Sequence, residues 1–514
     1  NLVGVAYPDG TRRQYHYEDP RHPAHLGGIS VITGKIATRL STYRYDAQGR
    51  GVLSVRGDPA RLDKDGKRVA GTGIEEIKLD FSAPGVTRLT NSLGQETVYT
   101  HAIVGNEHRL LEVIGPGCAS CGETNVRYRH DALGRQSEFT RLDTQGRPRH
   151  TVRTERDAQG RVVKLTRIEY RADRALPEQI AVRYEYNGNA DVPSLIVRPS
   201  VVPGKELRIA IDYNDAGQPT RITESGYSPI DSEGKPNPTP ITRSTAYRYQ
   251  RVNGRSLIAE IDGPLPNGPK NDPSDSDITR VEWDGFGRKI IALTRPGNET
   301  STLQYDAAGR IAHVQNAMGF GTTFTYTFRG QATRIASRGS GWEQTGIAPV
   351  TDSLRYDALG NLAEVSSGSG DGLRPRVRMA HDIAGRLLWQ AEALGFVKQA
   401  RYDTEGRLVR ASVRSASFEQ SEYYRYDAHN RVIEVADSTG TTRTLAAARP
   451  VRTRPASAFH AVHDDFGREV MVTGASHGVL IKSWDAADQL IEQRDARQNV
   501  QRNTWDLAGR RIRH

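Results

Sequence analysis

Tyr402-Asp403-Thr404-Glu405-Gly406-Arg407 states the unit on which this chain is built: an aromatic, Asp, two variable residues, Gly and Arg. The same wording stands at Tyr45-Asp46-Ala47-Gln48-Gly49-Arg50, Tyr305-Asp306-Ala307-Ala308-Gly309-Arg310 and Trp505-Asp506-Leu507-Ala508-Gly509-Arg510. Near copies start at His130, Tyr213, Trp283, Tyr356, His381, Tyr426, His463 and Trp484, and weaker ones at Leu62, Leu142, Arg156 and Tyr249. A unit repeated along a whole chain marks a repeat architecture. A residue type present in every copy reads as scaffold rather than as a single catalytic group.

The residues before the phrase alternate with a period of two. Tyr43-Arg44-Tyr45, Tyr128-Arg129-His130, Tyr184-Glu185-Tyr186, Tyr247-Arg248-Tyr249 and Tyr424-Arg425-Tyr426 put aromatics on one face and charge on the other, the pattern of a half-buried strand. Alternation resumes afterwards, in Arg407-Leu408-Val409-Arg410 and Arg431-Val432-Ile433-Glu434-Val435. The phrase therefore reads as a turn between two strands. Its Asp can accept a hydrogen bond from the backbone two residues on. Its Gly can take positive φ in a bulged hairpin loop, and Asn430, which replaces Gly in the copy at Tyr426, is the next residue suited to that conformation. Each repeat is expected to be one β-hairpin with the aromatic packed on the Arg stem at its mouth. Copies at 381, 402 and 426 lie 21 and 24 residues apart, and those at 463, 484 and 505 lie 21 and 21 apart. That period fits two strands of about seven residues plus two connections.

Wider gaps hold Pro/Gly/Ser/Asp-rich stretches at 225–240, 262–277, 337–352 and 366–375 and a basic stretch at 441–457, which read as loops hung on one continuous sheet. No long segment shows convincing helical periodicity. The expected fold is all-β, with the hairpins forming one long sheet. Residues 1–514 then make a single array, where length alone suggests several domains. A hydrophobic content of 36% beside 21 Tyr and 50 Gly suits a curved sheet wetted on both faces.

The net charge is +10, but Arg is spread over the repeats. That distribution reads as solvated strand faces and turn arginines. A nucleic-acid footprint is usually clustered, and no nucleic-acid partner is expected; an anionic partner or cargo along one face is the intermediate reading. No stretch approaches the roughly 18 apolar residues of a membrane span. The chain starts at Asn1 without a signal peptide and stops just after a complete phrase. It is read as an internal piece of a longer protein whose targeting information lies elsewhere.

The tyrosine–aspartate phrase, recurring from Tyr7-Pro8-Asp9-Gly10 to Trp505–Arg510, resembles the Rhs/YD-repeat family. That family includes bacterial Rhs polymorphic toxins, the C component of insecticidal Tc toxins, wall-associated proteins and the shell of animal teneurins. The resemblance implies a β-sheet spiralling into a hollow shell or cage wall, which in toxin members encloses a C-terminal toxic domain until delivery. It implies structural roles for Tyr45, Asp46, Gly49, Arg50, Tyr305, Asp306, Gly309, Arg310, Tyr402, Asp403, Gly406, Arg407, Trp505, Asp506, Gly509 and Arg510. It also implies a toxin cargo encoded beyond residue 514, secretion-system, chaperone or immunity partners, and secretion or delivery from a bacterial cell. Toxin members end their shell with an Asp-Pro-x-Gly motif tied to autoproteolysis. Here the Asp-Pro pairs are Asp19-Pro20, Asp58-Pro59 and Asp272-Pro273, none of them followed by Gly at the required place. The chain itself is thus expected to be neither protease, toxin nor other enzyme, and to need no cofactor. The alternative is a cell-surface adhesion or carbohydrate-binding module.

Cys118-Ala119-Ser120-Cys121 holds the two cysteines of the chain. Its spacing suits a redox pair or half a zinc site, with His101, His108 and His130 as the nearest histidines. A thioredoxin-like motif opens a helix in a βαβ setting, which the pattern here lacks. A reversible disulfide or structural loop is preferred, and Cys118 and Cys121 stay weak metal candidates. His22-Pro23-Ala24-His25 reads as a surface loop. Gly474-Ala475-Ser476-His477-Gly478 matches a nucleophile elbow, but a strand follows it where the elbow needs a helix, so a hairpin turn is preferred. Gly368-Ser369-Gly370-Asp371-Gly372 reads as a flexible connection.

Overall fold

A computed structural model describes the chain except for residues 60, 63–67, 70–72, 172–173, 340–347, 371, 428–429, 431, 439–441, 445–459 and 475–477. The basic stretch 441–457 falls largely outside the described residues. Among those described, the fold is all-β with no helix, and hence no helix long and apolar enough to cross a membrane. From Gly4–Ala6 to Thr442–Thr444 the strands, apart from the separate hairpin of Arg61–Leu62 with Arg68–Val69, form one 35-stranded sheet in which chain neighbours pair antiparallel, for example Val397–Tyr402 with Leu408–Arg414 and Glu419–Tyr426 with Val432–Asp437. A 5-stranded sheet from His460–His463 to Val500–Arg502 and the hairpin of Thr504–Trp505 with Arg511–Arg513 continue the pattern.

Alternating residues explain why a lean sequence makes so much sheet. In Glu419–Tyr426, Tyr424 and Tyr426 are half-buried while Tyr423 and Arg425 face solvent. The wetted side carries charge pairs directly across the ladder. Arg425 opposes Glu434 at 3.0 Å, Arg153 opposes Glu138 at 2.7 Å and Arg378 opposes Glu364 at 3.0 Å. Each such pair contributes only about 0.2–1 kcal/mol, yet together they tie arginines to carboxylates all along the strip.

The loops at 225–240 and 366–375 are shorter than composition suggests. Strands Pro219–Ser228 and Thr239–Val252 leave only 229–238 between them. Ser and Thr act here as strand residues: Ser225 Oγ and Thr242 Oγ1 meet across the pair at 3.0 Å. Likewise Ser366 and Ser367 lie in strand Leu362–Ser369, and Ser367 Oγ donates to Asp352 Oδ1 at 2.5 Å.

Because neighbours are antiparallel, connections fall alternately on the two edges of the strip. The copies at Tyr45, His130, Tyr213, Trp283, Tyr305, Tyr356, His381, Tyr402 and Tyr426 all fall on one edge, the phrase edge. The ring-less copy at Leu142 falls on the other, the plain edge. Deep apolar burial gathers toward the plain edge, where Val126 and Ile278 are 0% exposed and Leu89, Val113 and Val197 are also buried.

The strip passes over its own earlier course, phrase edge against plain edge. Arg329 donates to Thr11, 318 residues away. Asn430 donates to Pro116 O across 314 residues, and Ser92 to Glu405 across 313. Further on, Asp465 accepts from Ser200 across 265 residues, Arg243 donates to Asp488 across 245 and Arg510 to Glu299 across 211. This is a spiral whose turns shorten along the chain. With strands about 4.8 Å apart and about twelve residues per strand and connection, the girth falls from about 130 Å to about 85 Å before strand tilt.

Truncating the fully buried Ile278 tests this placement of the core. Ile278→Ala is expected to destabilise its strand by about 2–5 kcal/mol and Ile278→Val by about 0.5–1.5 kcal/mol, measured as lost amide-exchange protection in Ile278–Trp283.

Candidate functional site in the turn phrases and the seam between coils

The turn at Tyr402 is organised by one carboxylate. Asp403 N–H donates to Arg407 O and Gly406 N–H to Asp403 O, both at 3.0 Å. Asp403 Oδ1 accepts the N–H groups of Glu405 and Arg407 at 3.0 Å each, while Oδ2 accepts Arg407 Nε at 2.7 Å. Gly406 has φ +86°, and the register slips by one residue between Arg401 and Tyr402: a G1-type bulged hairpin, as the sequence indicates. Asp46–Arg50, Asp306–Arg310 and Asp506–Arg510 form the same charge-assisted pair at 2.7 Å. At Asp306 the Arg310 backbone N–H, then its guanidinium, hold the carboxyl below its ordinary 3.8. Asp46 and Asp506 are also lowered; burial opposes the shift, and bonds from Arg50 and Arg510 prevail.

Among the described residues, the ring and the Arg of one phrase do not pair with each other, contrary to the sequence expectation. Because Nε is locked on its own Asp, the guanidinium face turns sideways onto the next hairpin's ring. Arg407 lies 4.6 Å from the Tyr426 centroid, Arg386 4.9 Å from Tyr402 and Arg310 4.6 Å from Tyr326. Its remaining nitrogen reaches the next turn, as Arg310 Nη1 donates to Thr327 O at 2.7 Å and Arg407 Nη1 to Asn430 Oδ1 at 2.8 Å. The ring's polar atom points back to the carbonyl just after the preceding turn. Tyr426 Oη donates to Leu408 O at 2.8 Å, Tyr305 Oη to Ile290 O at 2.7 Å and Trp505 Nε1 to Leu490 O at 2.9 Å. At the first phrase the histidine loop takes the neighbour's place: His25 meets Tyr45 edge-on at 4.7 Å, and His22 Nε2 lies 2.9 Å from Asp46 O.

Several contacts between coils come from variable positions of the phrase, and others from its Gly position (Asn430, Asp488) or its Arg (Arg510). Glu405, 3% exposed, accepts Ser92 N–H at 3.1 Å, Ser92 Oγ–H, and Ala119 N–H at 2.7 Å. Asp465 accepts Ser200 Oγ–H and the N–H groups of Val201 and Tyr227, each at 2.7 Å. Asp488 stands where the phrase has Gly, at φ 60°, and binds Arg243 at 2.6 Å. The sequence alone assigns these residues no role. Their signal is a charged side chain where most copies carry Ala, Leu or Gln. Between these contacts a cleft of about 610 Å³ lies along the seam, lined by Arg39, His381, Asp382, Arg386 and Tyr402 among others. Asp277, in the plain-edge loop 263–277, runs against the trend: burial, then nearby Asp262, pushes its carboxyl up.

Cys118 and Cys121 are joined in a disulfide with Cα atoms 4.9 Å apart. Neither sulfur is therefore a free thiolate for zinc, which corrects the weak metal reading of this pair. Ser476 of the elbow-like stretch and Asp371 lie outside the described residues.

No family model matches the chain. It is 27% identical over 205 residues to toxin protein Tse5 of Pseudomonas aeruginosa, covering 37% of this chain and 14% of that protein. It is 29% identical over 248 residues to the probable deoxyribonuclease RhsA of Dickeya dadantii, covering 42% of this chain and 16% of that one. The chain thus spans less than a fifth of the curated relatives it matches. Among solved structures, the crystal structure of TcdB2-TccC3-TEV aligns over 98% of this chain and 26% of that one, at 14% identity and a TM-score of 0.49.

Two measurements probe the phrase. Tyr426→Phe deletes the donor to Leu408 O and is expected to cost about 1 kcal/mol, read as faster amide exchange in Leu408–Arg414. The pH dependence follows from the lowered Asp carboxyls. Their contribution is fully present above the unfolded value and is lost as pH falls through the lower folded value. Exchange protection at Arg310 should hold down to about pH 4 and decline below it, and Asp306→Asn should remove that decline.

Proposed function

We propose that this chain, which belongs to the Rhs/YD-repeat family, builds the wall of a toxin-associated shell that encloses a C-terminal toxic effector of the same polypeptide until delivery. The observation that carries this reading is the seam: phrase edge docks on plain edge over turns that shorten from 318 to 211 residues. A strip coiled this way brings the turn borders of neighbouring coils together and narrows toward one end, the geometry of a container. The mechanism is steric. The wall separates a chain inside from proteases and solvent partners outside, and no residue of it is assigned a catalytic step.

Residues 1–514 act in this reading as one array, with the 5-stranded sheet tied back to the long one through Asp465 and Asp488. Charge ladders across neighbouring strands, such as Arg425 with Glu434, give a wetted wall that can border a cargo without packing tightly on it. The effector, the secretion machinery and any chaperone or immunity partner belong to the same proposal, as does delivery from a bacterial cell.

The test uses the natural polypeptide carrying its C-terminal effector. Limited proteolysis is expected to spare the effector while the wall is closed. Asp465→Lys places a cation against Ser200, Val201 and Tyr227 and is expected to speed effector cleavage by about tenfold while strand content by circular dichroism stays constant. An effector cut equally fast with and without an intact seam overturns the reading.

A further inference from the structure

We infer that the Cys118–Cys121 disulfide is a thiol-exchange site through which a dithiol reductant releases one coil of the wall from the next. The inference concerns the seam and stands whether or not the wall holds a cargo. Its basis is where the disulfide sits. Residues 115–125 join strands Glu107–Ile114 and Val126–His130 on the plain edge and form no strand of their own. The loop is anchored at its start, where Gly117 N–H donates to Thr97 Oγ1 at 2.7 Å and Gly117 O accepts Asn91 Nδ2 at 3.0 Å. Near its end Asn125 Oδ1 accepts Gly115 N–H at 3.2 Å. Between these anchors the turn of residues 118–121 is closed by one backbone hydrogen bond, Cys121 N–H to Cys118 O at 3.0 Å, and by the disulfide.

That turn presents Ala119 N–H to Glu405 Oε1 at 2.7 Å, and beside it Pro116 O accepts Asn430 Nδ2 at 3.2 Å. Both partners belong to phrase turns of the overlying coil. Glu405 is buried, so a donor lost there is not readily replaced by water, and a buried acceptor left without its partner is destabilising. The sulfurs remain approachable, because Cys118 and Cys121 are partly exposed and Ala119 and Ser120 are exposed.

The chemistry is ordinary exchange. A thiolate of the dithiol attacks one cysteine sulfur; the S–S bond breaks, a mixed disulfide forms, and the other cysteine leaves as a thiolate that takes up a proton. The reductant's second thiolate then displaces the first cysteine, which is protonated in turn. The dithiol ends as a disulfide and both cysteines as thiols. A single hydrogen bond then holds the turn, and Ala119 N–H is no longer fixed toward Glu405. The seam contact at Asp465 contains no cysteine and supplies an internal control.

The experiment is amide hydrogen exchange on the full chain before and after treatment with dithiothreitol, with the oxidation state of both cysteines checked by mass spectrometry. Exchange at Ala119, Ser92 and residues 403–407 is expected to rise about tenfold on reduction, with Val201 and Tyr227 unchanged. Cys118→Ser with Cys121→Ser should reproduce the reduced pattern without reductant, and Glu405→Ala should exchange fast at Ala119 in both states. Unchanged exchange at 403–407 in protein with verified free thiols overturns the inference. So does equal acceleration at the Asp465 contact, or free thiols in protein prepared under air.

Discussion

The guanidinium of the turn phrase is the group on which the strip depends. One planar cation closes its own turn through Asp, covers the ring of the next hairpin and donates to the next turn, as Arg310 does toward Asp306, Tyr326 and Thr327. Arginine suits this because its donors form a rigid fork and its face stacks on aromatics. Substitutions for Arg keep one or the other of these contacts: Asn361 and Asn499 keep the bond to their own turn, at Asp357 and Asp495. Gln331 gives up the charge yet sends Nε2 to Gly360 O of the following turn at 2.6 Å. Lys289 keeps its ammonium 4.9 Å from the Tyr305 centroid, after a turn one residue longer. At Gln331 and Lys289 the contact to the neighbouring hairpin persists while the contact to the own turn changes.

This linkage explains how a chain with 36% hydrophobic residues holds a long single sheet. A hairpin alone is marginal in water, and repeat proteins draw their stability from contacts between neighbouring units. Here each unit adds a ladder, and many add a ring-to-carbonyl hydrogen bond, a stacked cation or charge pairs on the wetted face. None is large. Their number, and the covering of one edge by the following coil, stand in for a thick core. The fully buried side chains, Val126 and Ile278 among them, lie toward the edge where coils meet, so the apolar content sits where a second layer exists.

The hairpin was legible because its determinants are local. Asp accepting from its own turn, Gly at positive φ and the alternation around them can all be read within ten residues, and Asn430 does take φ 61°. The bond between units was half legible: the aromatic and the Arg were visible, but their partner was placed in the wrong hairpin, since sequence does not show that Nε is already held by Asp. The seam was not legible. Glu405 and Ser92 stand 313 residues apart, and in one sequence a Glu at a permissive turn position looks like any solvated residue. The cysteine pair, readable as disulfide, loop or metal ligand, is joined across a separation of three residues, while its proximity to Glu405 depends on the coil.

The phrase thus divides its labour by position. Its recurring residues, an aromatic, Asp, Gly and Arg, fix the strip at most copies. Its variable residues choose what the overlying coil meets: a carboxylate at Glu405 or Asp465, a cation at Arg329. A strip built only of constant residues could slide along itself, because every turn would offer the next coil the same surface. Buried polar contacts at scattered variable positions remove that freedom, since a slip by one hairpin strands Glu405 away from Ser92 and Ala119. On the plain edge of the later coil Met318 is 71% and Leu394 84% exposed. On the earlier coil that edge is the one lying beneath phrase turns. Register between coils, set by a few charged side chains, therefore decides whether this β-strip makes a wall.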